Sequence, residues 1–156
     1  MTASSPPDAM GEPAPAPAHG PAPEPSSRAR DAAQRAQLAA AHRRGESARA
    51  QVMINNFLAR MRAEGRPAEP LRATLLSGGE VRTDKSGWYL KKNRSGAIGD
   101  DGGFYVLTVP GGLIERLRGA RLQPAPPPLI VSQGGRDGEA GDLAFFLGAT
   151  LERYHR

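Results

Sequence analysis

The 156-residue chain has no cysteine. That excludes disulfides, thiolate metal sites and a cysteine nucleophile. Aromatic residues are scarce, with one Trp, three Tyr and four Phe, so the core is small, worth roughly 80–90 residues of folded chain. Lysine is scarce too, three residues against 18 Arg, and the high titration range of Arg helps to carry the isoelectric point to about 10.2. No apolar run approaches the roughly 18–20 residues of a membrane span. The N-terminus lacks the basic and apolar regions of a signal peptide. These absences predict a cytoplasmic protein.

The net charge is +5, unevenly placed. Residues 1–27 carry Asp8, Glu12 and Glu24 and no base. Residues 28–66 carry nine Arg against Asp31, Glu46 and Glu64. The rest of the chain is nearly balanced, so one segment holds the basicity.

Residues 1–27 also hold eight of the 15 prolines, alternating with alanine. Such a stretch has little to bury and cannot offset its ordering entropy, which predicts a disordered, locally polyproline II tail. A proline-rich ligand segment is one reading of it; a solubilising tail is the favoured one. From Arg28 the chain is rich in Ala, Arg, Gln and Glu, good helix formers, with Ser26 or Ser27 as N-cap and Gly65 and Pro67 as stop signals. Ile54, Phe57, Leu58 and Met61 recur at helical spacing and predict a firm amphipathic helix over 46–64. Residues 28–45 have no comparable apolar face and predict an exposed, partly helical segment.

Residues 71–76 read as a strand or a short helical turn, with the strand favoured, and 80–83 pairs with it. Asp84, Lys85, Ser86 and Gly87 read as the next turn. A β-meander follows. Trp88 and Leu90 face one way and Tyr89 the other, with Lys91 exposed. Asn93 to Gly96 is a turn, and the Asp-Gly at 101–102 marks a hairpin. Residues 104–109, apolar on both faces, read as a central strand. Residues 124–128, with four prolines, form a stiff connector, and 129–131 forms a short strand. A glycine-rich loop at 134–141 leads to a helix capped by Asp142, with Leu143, Phe146, Leu147, Thr150, Leu151 and Tyr154 on one face. The fold class is therefore α+β: a small, mostly antiparallel meander with an N-terminal and a C-terminal amphipathic helix packed on one face, behind the Pro/Ala-rich tail. Residues 46–156 form the single domain.

Chemical motifs are few. The loop at 134–141 resembles a phosphate cradle, but no Lys-Ser/Thr follows its glycines and Arg136 breaks the GxGxxG pattern. Asp137, Glu139 and Asp142 lack EF-hand spacing. His19, His42 and His155 lack zinc spacing. No catalytic, cofactor or metal site is nominated. Two basic sets remain. Arg28, Arg35, Arg43, Arg49 and Arg60 fall within roughly 120° of an ideal helical wheel, a face able to neutralise phosphates or meet an acidic protein. Lys91, Lys92 and Arg94 stand beside Trp88 and Tyr89. The expectation is a non-enzymatic interaction or adaptor module with a protein partner; the alternatives are an accessory nucleic-acid binder using the arginine helix, and a small enzyme without a recognisable motif.

Overall fold

Leu71, Ala73 and Leu75 are buried while Arg72 and Thr74 between them are exposed. This period of two settles the first ambiguity: residues 69–75 are a strand. The computed structural model describes residues 26–131 and 141–155; the proline-rich tail and the glycine loop lie outside them. In chain order the elements are α1 Ser27–Ala63, β1 Glu69–Leu75, β2 Glu80–Tyr89, β3 Gly96–Gly99, β4 Phe104–Val106, β5 Thr108–Val109, α2 Leu113–Arg118, β6 Ile130–Val131, β7 Gly141–Asp142 and α3 Leu143–Tyr154. The architecture is α+β with helices at both ends.

The main sheet has the order β4-β3-β2-β1-β5. Its first four strands in sequence form an antiparallel meander, and β5 pairs with β1 in parallel. Its two edges, β4 and β5, are neighbours in the chain with only Leu107 between them. The sheet therefore curls round and meets itself. Leu107 is the seam: its N–H donates to the Ser95 carbonyl at 2.9 Å, and its carbonyl accepts from Thr74 N–H at 2.7 Å. The expected central strand at 104–109 is thus two edge strands. Its residues are apolar on both sides because Phe104 joins the outer core while Tyr105 and Leu107 join the inner one.

The expected turn at 84–87 is absent as well, since β2 runs straight through it. Pro70 pairs with Ser86 and Arg72 with Arg82, so four residue steps on β2 match two on β1. This bulge lets β2 bend, and the chain after α2 fills it. Ala120 N–H donates to the Arg82 carbonyl at 2.8 Å, and Asp84 Oδ1 accepts from Leu122 N–H at 2.9 Å.

Two apolar clusters follow from strand alternation. Tyr89, Ala97, Tyr105 and Leu107 point inside the curl with Leu71, Ala73, Leu75, Val81, Ala120 and Leu122. Trp88, Leu90, Ile98 and Phe104 point outside, where α1 and α3 cover them together. From α1 come Ala50, Ile54, Phe57, Leu58 and Met61; from α3 come Leu143, Phe146 and Leu147. Burying each large side chain contributes about 1.5–3 kcal/mol. Trp88 packs edge-on against Phe57, ring centroids 5.9 Å apart, and its indole N–H donates to the Pro67 carbonyl at 3.1 Å.

Helix α1 is continuous through Gly45, where composition predicts only partial helix over 28–44. Ser26 caps it by accepting from Ala29 N–H, and the strong helix formers of that segment sustain it. The body of the molecule supports α1 from Ala50 onward; before that point nearly every residue is exposed.

Candidate functional site

The exposed half of α1 follows from its sequence. Between Arg28 and Arg49 the only large apolar side chain is Leu38, itself 64% exposed. Without an apolar stripe the segment has nothing to lay on the sheet. Arg28, Arg35, Arg43, Arg49 and Arg60 are all exposed on α1. At about 1.5 Å per residue, Arg28 and Arg60 stand roughly 48 Å apart. Arg35 Nε donates to the Asp31 carbonyl at 3.2 Å, and Arg60 lies 4.0 Å from Glu64. Arg43 and Arg44 flank an open groove of about 540 Å³, whose far wall is Pro126, Pro127 and Pro128. The stiff proline segment thus runs beside the arginine face.

The second basic set is built differently. Strand β2 ends at Tyr89, and the chain turns through residues 90–95 into β3. In this turn Arg94 N–H donates to the Lys91 carbonyl at 3.1 Å and Ser95 N–H to Asn93 Oδ1 at 3.0 Å. Arg94 has φ 58°, the one non-glycine residue with positive φ among the described residues. Its guanidinium lies over the Tyr89 ring, 4.9 Å from the centroid, a cation–π contact. Lys92 is exposed. Lys91, expected to be exposed, is buried at 3% exposure.

Helix α3 contributes the residues that sequence reading did not nominate. Arg153 Nη2 donates to the carbonyls of Tyr89 at 2.9 Å and Leu90 at 2.8 Å and to Thr150 Oγ1 at 2.9 Å. These bonds fix the guanidinium and tie the end of α3 to the end of β2. The Tyr154 hydroxyl donates to the Glu69 carboxylate. Burial first, and that hydrogen bond second, hold the Tyr154 phenol well above its ordinary pKa, so it stays a donor. Lys91, Lys92, Arg94 and Arg153, with Tyr89, Tyr154 and Glu69, line one pocket of about 330 Å³. Four cations face a single carboxylate there.

Lys91, Lys92 and Arg94 are therefore brought together, while the five α1 arginines are strung along a separate surface. No local signal nominates Arg153 or Tyr154. Tyr154 continues the apolar face of α3 and reads as core; Arg153 reads as an ordinary last-turn cation.

His155 Nδ1 lies 3.1 Å from Glu64 Oε2, and His42 lies 3.7 Å from Glu46. Among the described residues no group of three or more His, Asp or Glu could hold a metal ion, and no helix is long and apolar enough to cross a membrane. Residues 134–140 of the glycine-rich loop, with Asp137 and Glu139, and His19 lie outside the described residues. Compared with family models, curated proteins and solved structures, the chain matches none.

Proposed function

We propose that this chain is a non-enzymatic cytoplasmic interaction module. The folded body holds α1 by its second half, and the first half extends as an arm that presents Arg28, Arg35 and Arg43, with Arg49 and Arg60 continuing the row, to an acidic protein surface. One observation carries the reading: α1 is helical from Ser27, yet its first half is exposed nearly all round. Most helical stability in proteins comes from packing an apolar face. A long helix without one gains from a partner that packs against it.

The test uses the full chain and a variant with Arg28, Arg35 and Arg43 replaced by Glu. The reading requires one defined acidic protein that the wild type retains and the variant loses. Rebinding of that purified protein should weaken at least about tenfold. Equal retention by both chains overturns it.

The row of exposed arginines along roughly 48 Å of helix also favours a second reading, accessory nucleic-acid binding. That would be independent of base sequence and steeply salt-dependent. It predicts a gel shift near 50 mM salt that is lost near 200 mM and abolished by deleting 28–44. Absence of any shift at the lower salt removes it.

A further inference from the structure

We propose that the pocket between the 90–95 turn and the end of α3 binds a phosphate monoester. Three observations carry this, all independent of the α1 arm. The first is charge. Lys91, Lys92, Arg94 and Arg153 face Glu69 across about 330 Å³, and Glu69 is already engaged by the Tyr154 hydroxyl. Like charges gathered this closely repel, and an anion among them offsets the repulsion. A phosphate dianion meets this cation excess better than a carboxylate, because it has twice the charge and three terminal oxygens to accept from N–H donors.

The second observation is pre-organisation. Arg153 is held by two carbonyls and a hydroxyl, and Arg94 lies on the Tyr89 ring. Guanidiniums positioned before the ligand arrives lose little freedom on binding; the Arg94 fork suits bidentate contact with phosphate, whereas Arg153, its Nη2 engaged, offers single N–H donors. The third is backbone conformation. Arg94 occupies the left-handed region at φ 58°, which an arginine adopts at a cost that glycine escapes. Strained residues of this kind gather at ligand sites. The volume lies at the lower end of small-molecule sites, so the pocket takes the ester group as well as the phosphate, with Tyr89 and Tyr154 on its wall.

The test compares thermal unfolding of the full chain in phenyl phosphate, in benzoate and in sodium chloride at equal ionic strength. At ten times its Kd, phenyl phosphate should raise the midpoint by about 5 °C over salt. In Arg94→Gly the ligand-free midpoint should stay level or rise, since glycine accepts the positive φ, while the ligand shift falls below about 1 °C. Lys92→Gln should at least halve the shift. A variant with Arg28, Arg35 and Arg43 changed to Gln should keep all of it, which separates this site from the α1 arm. A phosphoserine pentapeptide in a parallel arm distinguishes two sources of the ester. Greater protection by the peptide assigns it to a phosphorylated side chain, and greater protection by phenyl phosphate to a free small molecule. The proposal is overturned if neither exceeds salt, if benzoate protects as well, or if Arg94→Gly keeps the full shift.

Discussion

Replacing Gly87 with alanine should cost more than almost any other single methyl group in this chain. Gly87 lies in β2 between two strands, opposite Glu69 of β1 and Gly99 of β3. A Cβ there would stand 2.1 Å from the Ile98 carbonyl oxygen and 2.8 Å from Gly99 Cα. Close carbon–oxygen contacts in sheets are about 3.3–3.6 Å, so β3 would have to retreat by more than about 1 Å. Every atom in the clash is backbone, so no side chain can rotate away. Overpacking of this kind costs about 1–3 kcal/mol, and each ladder hydrogen bond lost adds about 1 kcal/mol. A total of about 3–5 kcal/mol lowers the midpoint of a domain this size by roughly 12–20 °C. Unfolding can be followed by the fluorescence of Trp88, the only tryptophan, which is 2% exposed and adjacent to the change. Gly96→Ala is the control: its nearest neighbour, the Tyr105 carbonyl oxygen, would be 3.9 Å away, and the expected cost is below about 1 kcal/mol. A Gly87→Ala midpoint within about 2 °C of Gly96→Ala would refute the reasoning.

Further outcomes follow from other parts of the molecule. Gly45→Ala, with nothing within 4 Å of the added methyl, should stabilise the exposed half of α1 by about 1 kcal/mol; hydrogen exchange over 28–44 should slow, and unchanged exchange would count against it. Leu107→Ala should cost about 2–5 kcal/mol, because Leu107 is fully buried at the seam, whereas Leu113→Ala on α2, 76% exposed, should stay within about 0.5 kcal/mol; similar denaturation midpoints for the two would contradict the closed sheet. Burial alone would raise the Asp101 pKa, but hydrogen bonds from Tyr105 at 2.5 Å, Gly103 at 3.0 Å and Lys85 at 3.2 Å outweigh it, and the carboxyl titrates below its ordinary value. Its stabilisation is therefore complete above the unfolded value of about 3.9 and fades as pH falls through the depressed folded value. Asp101→Asn should show a smaller loss of stability between pH 5 and pH 2 than wild type, and parallel acid denaturation curves would contradict that linkage.

Residues whose role is set by near neighbours are legible in the sequence. The stripe of Ile54, Phe57, Leu58 and Met61, the Asp142 cap and the opposed faces of Trp88 and Tyr89 all depend on spacing alone, and the structure shows each of them. Residues whose role depends on distant chain are not. Asp84, Lys85, Ser86 and Gly87 have turn composition, but the partner that makes them a bulge is the 120–122 segment. Residues 104–109 are apolar on both sides because the chain passes from one core to the other. Lys91 continues an alternating strand pattern, but β2 ends at Tyr89 and the residue is buried where the chain turns. The pocket was half legible for the same reason: Lys91, Lys92 and Arg94 are adjacent in sequence, whereas Arg153 and Tyr154 arrive with a helix some sixty residues later.

The seam at Leu107 also sets an order of events in time. Hairpins β1–β2, β2–β3 and β3–β4 each join strands close in sequence, and such local pairing favours early formation. The pairing of Thr74 with Thr108 joins the far ends of that meander, and its loop-closure entropy is recovered only once the sheet has curled. Until then β1 carries an unpaired edge, open to the same strand of another chain. A chain that has formed the meander but not the closure exposes that edge to wrong association. Anything that holds Leu107 back from its two partners lengthens that exposure before it alters the finished molecule.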